Sequence, residues 1–357
     1  MKVEPEWLRG YADYLHEDET LHLSAALGYC RQHCQDFTGL DGVLYLYRPA
    51  LDFLVTQMEQ VTSSAQTGLA TVQSNLRTSA DAYATTDHAS ADALAASAID
   101  LGEDGESEQL TSYVESDVGC ADEYAHDTHV YRDPLEQDAA KVFRDWITEQ
   151  LDTFGLNDLL KEYLGIDLSE VVLPIVLGNW GAFYRLADAW TEVCWGYRKI
   201  GEDIDNGMDV LSTHWDSSDC GNTGASQRFD YHIREEWVPG FEAIDQACVA
   251  IAHVCDQMGL LWDTSVNGLM AYLDIGFKAL VKEIKRLLSI SSVKDLFKNL
   301  DDIWQLVEGI VEAIESVIRY FETLAEELVH GFQTWVEIFR LLQRYFGGDF
   351  EVFETAA

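Results

Sequence analysis

The sequence predicts an all-α protein built from long antiparallel helical hairpins. Apolar residues recur every three or four positions over segments far longer than a β-strand, which is the pattern of one buried face on a helix. Only five prolines interrupt 357 residues, and 47% of the residues are hydrophobic, which excludes bulk disorder. No segment shows the period-two alternation of a strand. These observations divide the chain into four regions.

The first region, 1–98, is predicted to be a helical hairpin. Its first arm runs from about Trp7 to Cys34, and the segment from Phe37 to Gly42 forms the turn, where glycine breaks the helix. The second arm carries one apolar stripe, formed by Leu51, Leu54, Met58, Val61, Ala65, Leu69, Val72, Leu76 and Tyr83. We expect this stripe to pack against the first arm.

The second region, 99–134, is interpreted as an acidic linker. It contains no Lys or Arg before Arg132, and acidic residues are dense between Asp100 and Glu108. A segment of this composition buries too little apolar surface to offset the entropy lost on ordering. We therefore expect it to be mobile and solvated.

The third region, 135–268, is predicted to be a second hairpin preceded by a lead-in helix at 135–165. Its long arm follows Gly178-Asn179-Trp180, the turn lies at 216–224, and Pro239 is expected to kink the return arm near its start. The arms carry Phe183, Ala187, Trp190, Cys194, Tyr197, Ile204, Met208 and Leu211, and Phe229, Trp237, Phe241, Ile244, Cys248, Ile251, Cys255 and Met258.

The fourth region, 269–357, is predicted to form a C-terminal extension of long amphipathic helices. A continuous apolar stripe from Ile303 to Leu342 indicates one helix of about 45 residues, ended by Gly347-Gly348. Such a stripe is typical of a helix buried against its neighbours.

The net charge of the chain limits the classes of partner that it can bind. There are 63 acidic and 23 basic residues, a net charge of −40. This surface disfavours phosphate backbones and anionic membranes, so we expect no nucleic-acid partner and no membrane insertion. No apolar run reaches the roughly 18–20 residues of a membrane span. The N-terminus lacks the basic head and apolar core of a signal peptide, so export would need a route without one.

No catalytic, cofactor or metal site is predicted. The sequence lacks a glycine-rich phosphate loop, a Gly-x-Ser-x-Gly motif and a His-Glu-x-x-His motif. The densest ligand-like cluster lies in the acidic linker, where we interpret it as a solvated acidic run; its members are Asp122, Glu123, His126, Asp127, His129 and Asp133. Cys30, His33 and Cys34 form a second group that can bind a metal or be oxidised, but small packing residues are the favoured interpretation.

Three short motifs at the helix ends carry a family resemblance. Gly178-Asn179-Trp180 precedes the long arm of the second hairpin, Trp215-Asp216-Ser217 follows it, and Phe37-Thr38-Gly39 lies at the first turn. Two hairpins with these motifs resemble the WXG family of type VII secretion substrates, in which a Trp-x-Gly motif joins two helices. Gly-Asn-Trp resembles the Gly-Asp-Trp found in multidomain actinobacterial members. Ser217 replaces the motif glycine in one turn, and Phe37 replaces the tryptophan in the other.

The resemblance also implies a secretion signal of the form Tyr-x-x-x-Asp or Glu after a hairpin. Tyr83 and Asp87 have this spacing at the end of the first hairpin, and positions four apart share one helical face. The same string recurs at Tyr14–Asp18, Tyr113–Asp117, Tyr163–Asp167, Tyr184–Asp188, Tyr231–Glu235 and Tyr345–Asp349. Only its position at the end of the first hairpin distinguishes Tyr83 from these other strings.

These features imply a non-enzymatic type VII secretion substrate, either a secreted or cell-surface helical scaffold or the export module of a toxin system. The resemblance implies a helical partner or self-association as well as the secretion machinery. The alternative is a cytoplasmic acidic chaperone or immunity-like protein that binds a basic partner. A third possibility is a membrane-lytic helical protein that uses the stripe at 303–342. If the second turn centres near Gly221, an oxidised form can join Cys194 to Cys248.

Overall fold

The computed structural model describes residues 2–100, 123–124, 128–152, 155–165, 167–216, 224–287 and 293–346. The all-α prediction is confirmed. The helices are α1 (Pro5–Tyr29), α2 (Arg48–Asp100), α3 (Lys141–Asp152), α4 (Leu156–Leu164), α5 (Leu168–Val176), α6 (Gly181–His214), α7 (Ala225–His232), α8 (Val238–Leu287) and α9 (Val293–Phe346). The strands within these ranges are β1 (Lys2–Val3) and β2 (Trp215–Asp216), which pair antiparallel.

Helices α1 and α2 form the first hairpin. Their cross-helix partners show the antiparallel register: Arg9 pairs with Asp81 at 2.8 Å near the open end, and Arg31 pairs with Glu59 at 2.5 Å near the turn. The apolar stripe of α2 from Leu51 to Leu76 is buried. A π-helical segment, Cys30–Cys34, and a 3-10 helix, Gly42–Tyr47, flank the turn.

Helices α6 and α8 form the second hairpin, with α7 and a π-helical segment, Ile233–Trp237, on the return side. The cross-helix pair Arg198–Asp245, at 2.8 Å, marks its antiparallel register. Pro239 lies inside a continuous helical run, because α7, the π-helical segment and α8 follow one another without a break. It has no backbone N–H to donate to the preceding turn, and the π-helical segment lies just before it.

Helix α8 continues through the boundary expected at 268. Trp262, Val266, Leu269, Leu273 and Phe277 are all buried and extend the apolar stripe of the return arm. Because no proline or positive-φ glycine intervenes, the helix runs on to Leu287. Helix α9 has 54 residues and is thus longer than the stripe alone indicated.

The single lead-in helix expected at 135–165 is wrong. Residues 135–138 have no regular secondary structure, and α3, α4 and α5 follow in place of one helix. Gly155 precedes α4 with φ +55° and Gly165 follows it with φ +69°. Glycine adopts this left-handed backbone at little cost, so both positions end helices readily.

Within the parts of 99–134 that the structure describes, Glu123, Val130 and Asp133 are exposed, but two tyrosines pack against the rest of the fold. Helix α2 extends into this region as far as Asp100. Tyr124 is fully buried, and Tyr131 stacks on Tyr29 with ring centroids 4.9 Å apart. The hydroxyl of Tyr29 also donates to the backbone carbonyl of Arg132 at 2.7 Å. Aromatic side chains supply the apolar surface that the acidic composition concealed.

The two hairpins pack on each other through α1 and α6. The hydroxyl of Tyr11 donates to the backbone carbonyl of Ile204 at 2.8 Å. A Cβ at Gly207 would lie 2.5 Å from the Tyr11 ring, so glycine permits the close approach of these helices. Helix α9 packs against both α2 and α8, where Phe321 stacks on Trp262 with centroids 3.6 Å apart. Buried side chains of both hairpins and α9 form one continuous core.

Candidate functional site

The turn of the first hairpin is fixed by two arginines. Arg185, from α6, is 3% exposed and donates to the carbonyl oxygens of Asp36, at 2.6 Å, and Thr38, at 2.9 Å. Arg48, at the start of α2, donates to the carbonyl oxygen of Leu40 at 2.9 Å. Burial acts to raise the pKa of Asp36, but hydrogen bonds from Thr38 and the charge of Arg185 outweigh it and lower that pKa.

The Gly178-Asn179-Trp180 motif lies directly against this turn. The backbone N–H of Asn179 donates to the carbonyl oxygen of Gly39 at 2.7 Å, and its side-chain oxygen accepts from the N–H of Gly181 at 3.1 Å. Trp180 is buried, and its indole N–H donates to Asp263 of α8 at 2.5 Å. The structure therefore brings the first turn motif and the helix-start motif together.

Trp215 lies at the opposite end of α6 and is 2% exposed. Its ring contacts Phe229, with centroids 5.7 Å apart, and Tyr83 of α2, with centroids 6.4 Å apart. Trp215 also pairs with Val3 in the short β-ladder. The aromatic position of the second motif thus joins both hairpins, while Ser217 lies outside the described residues.

Tyr83, the candidate secretion signal, is half-buried in this contact. It lies within α2 rather than at its end, since the helix continues to Asp100. The side chain of Asp87 lies outside the described part of the chain. Of the competing strings, Tyr14 is buried, whereas Tyr231 is 63% exposed and Glu235 is exposed too.

The described cysteines are buried free thiols. The thiol of Cys194 donates to Asp245 of α8 at 2.5 Å. Burial, followed by the neighbouring Asp245 carboxylate, raises the pKa of Cys194 to about 12. Burial raises the pKa of Cys248 as well. A disulfide between Cys194 and Cys248 is not formed here and stays a prediction for an oxidised form.

The same high pKa argues against Cys194 as a nucleophile, because the thiolate is the reactive species. An acidic groove of about 460 Å³ lies beside it between α6 and α8, lined in part by Arg198, Glu202, Glu242 and Asp245. Arg198 is held by Asp245 at 2.8 Å. The groove therefore lacks an activated nucleophile among these lining residues.

The ligand-like cluster of the linker is not assembled in the described residues. His129 pairs with Glu192 of α6 at 3.1 Å, whereas Asp133 pairs with His33 at 3.7 Å. Glu123 is exposed, and Asp122, His126 and Asp127 lie outside the described part. Cys30 and Cys34 are buried in the core, as the packing interpretation expects.

A buried charged cluster that the sequence analysis missed lies between α1 and α6. Glu19 and Asp203 are each 0% exposed, and each offers an oxygen within 4.8 Å of the other and of a ring nitrogen of His22. Burial raises the pKa of Glu19, although hydrogen bonds with His22 and Tyr14 oppose this. The spacing Glu19-x-x-His22 could have indicated this cluster from the sequence, because residues three apart share one helical face.

Comparison of the chain with protein-family models, curated proteins and solved structures gave no match. The resemblance to the WXG family therefore rests on the residues described above. None of the helices in the described ranges is long and apolar enough to cross a membrane.

Proposed function

We propose that this protein is a non-enzymatic helical protein exported by a type VII secretion route, acting outside the cell as a scaffold or as the export module of a toxin system. Its architecture of two hairpins, each with an aromatic residue at the turn, supports this proposal. Its helices associate through apolar stripes, which is the mode of interaction that the WXG resemblance implies.

The observation that carries the proposal is the packing of the two hairpins on each other. In WXG-like proteins a hairpin pairs with a helical partner, and here α6 covers α1 while α9 covers α2. The second hairpin and α9 thus cover the two helices of the first hairpin. We infer that the chain is exported as a folded, internally paired unit that needs no separate partner to cover these faces.

The proposed signal is Tyr83 with Asp87. Tyr83 is half-buried against Trp215, so its ring is only partly available to a translocase. The translocase would then contact the exposed edge of the Tyr83 ring on a long, continuous helix. Its place near the open end of the first hairpin, two residues after the Asp81 that pairs with Arg9, distinguishes this string from the exposed one at Tyr231.

Export of a tagged chain from a type VII-competent strain tests the proposal, with a secretion-deficient strain as the reference. We expect the wild type in the medium of the competent strain only. Tyr83→Ala and Asp87→Asn should retain the protein in the cell, whereas Tyr231→Ala should be exported normally.

Trp215→Leu separates signal recognition from packing. This variant removes the same aromatic contact from the other side and leaves Tyr83 in place. Export of Trp215→Leu together with retention of Tyr83→Ala supports a signal. Equal loss in both variants means that the contact stabilises the fold, and cytoplasmic retention of the wild type would refute export itself.

The alternative function, an acidic chaperone or immunity-like protein, is favoured by the net charge of −40 and by apolar side chains left exposed on α8 and α9. Ile275 is 71% exposed, Tyr272 53% and Trp304 43%. A cationic partner with an apolar face would match such a surface. Wild-type retention, with a basic protein bound to the tagged chain and released by salt, would support this alternative.

A further inference from the structure

The buried cluster between α1 and α6 has the composition of a metal site. Glu19 and His22 come from successive turns of α1, and Asp203 comes from α6. Their ligand atoms lie within 4.8 Å of one another. Zn²⁺ binds imidazole nitrogen and carboxylate oxygen at about 2.0–2.2 Å, so a small side-chain rotation would bring all three atoms onto one ion.

The two carboxylates are oriented by other residues through one oxygen each. The hydroxyl of Tyr14 donates to Oε1 of Glu19 at 2.5 Å, and the ammonium of Lys199 donates to Oδ1 of Asp203 at 2.6 Å. Hydrogen bonds of this kind hold metal-binding carboxylates in position. The second oxygens of both carboxylates are buried. Oδ2 of Asp203 has no hydrogen-bond partner among the described residues, and Oε2 of Glu19 lies 3.4 Å from Nδ1 of His22.

Two basic side chains face the two carboxylates of the cluster. Lys199 neutralises one carboxylate, and His22 Nδ1 lies 3.4 Å from Oε2 of Glu19. A buried carboxylate oxygen without a donor is costly. A divalent ion held by Glu19, His22 and Asp203 would supply the partner that Oδ2 of Asp203 lacks.

We propose that Glu19, His22 and Asp203 bind one divalent transition-metal ion, Zn²⁺, which ties the first hairpin to the second. The imidazole nitrogen favours Zn²⁺ over Mg²⁺ or Ca²⁺, which prefer sites made only of oxygen. Three protein ligands leave a fourth position for water. The ion has a structural role in this position, because it cross-links two packed helices. This inference is independent of the proposed export.

Zinc titration of the full-length protein, stripped with a chelator, tests the proposal. Calorimetry is performed in excess Mg²⁺, which occupies the exposed carboxylates of this acidic chain. We expect one Zn²⁺ per chain and a rise in Tm on saturation, because a ligand that binds only the folded state stabilises it. Co²⁺ in place of Zn²⁺ should give the visible absorption of a nitrogen- and oxygen-bound ion.

His22→Gln should weaken Zn²⁺ binding by about 100-fold or more and abolish both the Tm shift and the Co²⁺ spectrum. Asp203→Asn should do the same. The matched control is His129→Gln, which removes another histidine–carboxylate pair and should bind Zn²⁺ like the wild type. A wild-type Tm that does not change when Zn²⁺ is added, or equal Zn²⁺ binding by His22→Gln and the wild type, would overturn the proposal.

Discussion

At the scale of single residues, Arg185 makes several contacts that its substitution would remove together. It is a buried cation whose guanidinium group donates to two backbone carbonyls of the first turn and pairs with Asp36 at 2.8 Å. Hydrogen bonds made by a charged group contribute more than neutral ones. Arg185 therefore links the start of the second hairpin to the turn of the first.

We expect Arg185→Ala to lower the free energy of unfolding by about 2–3 kcal/mol, because it leaves the two turn carbonyls without this donor and removes the ion pair with Asp36. Urea unfolding measures this change. The control is Arg77→Ala, which removes an exposed ion pair with Asp13 and should cost at most about 1 kcal/mol. Equal effects of the two substitutions would contradict the role given to Arg185.

The buried thiols predict low reactivity. Cys120 and Cys220 lie outside the described residues, so the test uses a variant with both replaced by serine. Native protein of this variant should not react rapidly with a thiol reagent at pH 8, and it should react fully once unfolded. Rapid labelling of a native thiol, or a Cys194–Cys248 disulfide in protein purified and kept under reducing conditions, would contradict the structure.

The same thiols predict a loss of stability at high pH. Burial raises the pKa of Cys194 and of Cys255 from 9.0 to about 12. Between these values the unfolded chain loses thiol protons that the native chain retains, so the free energy of unfolding falls as pH rises. Replacing both cysteines by serine should reduce the steepness of this fall in pH-dependent urea unfolding. An unchanged slope would count against the raised pKa values.

At the scale of elements, Gly39 shows how the first turn is built. Its φ of +91° is a backbone conformation that other residues adopt only with strain, and a Cβ there would lie 3.3 Å from Asn179. Gly39 is also the motif glycine that the first hairpin retains. The turn and the start of α6 therefore constrain the same residue.

Gly39→Ala should lower the free energy of unfolding by roughly 1–2 kcal/mol because of this backbone strain. Gly28→Ala provides a control of opposite sign. Gly28 lies in α1 with open space around its Cα, so alanine there should stabilise the protein by about 0.5–1 kcal/mol. Thermal or urea unfolding of both variants measures the difference. Two shifts of the same sign would contradict this account of the turn.

The sequence predicts helices better than it predicts their contacts. The stripes of α2, α6 and α9 locate these helices because a buried helical face repeats every three or four residues. The sequence did not show that α8 continues through residue 268, because an apolar stripe looks the same whether one helix continues or a new one begins. The breaks at Gly155 and Gly165 depend on positive φ angles, which glycine permits but does not require.

For the candidate sites too, the sequence indicated the motifs but not the contacts between them. The sequence located the turn motifs, but their contact with each other depends on Asn179 reaching Gly39 across more than a hundred residues. The cluster of Glu19 and Asp203 was missed because it forms only when α1 packs on α6. In a chain with 63 acidic residues, a pair of carboxylates carries little information until the structure shows that both are buried.

At the scale of the whole molecule, net charge opposes the compact state. A charge of −40 on one folded chain produces self-repulsion, which salt screens. Raising NaCl from about 0.01 M to about 1 M shortens the Debye length from about 30 Å to about 3 Å. We expect the Tm to rise by a few degrees over this range in calorimetry. A Tm that stays constant or falls would show that self-repulsion does not limit stability.

The pairing of the two hairpins within one chain underlies both the proposed export unit and the proposed metal site. Hydrogen exchange of Gly207→Leu tests this pairing most directly, because a side chain at Gly207 would force α6 away from Tyr11 of α1. We expect faster amide exchange along α1 as well as α6, with Gly268→Ala, which has open space around it, exchanging no faster than the wild type. Faster exchange confined to α6, with α1 unchanged, would contradict the pairing of the hairpins.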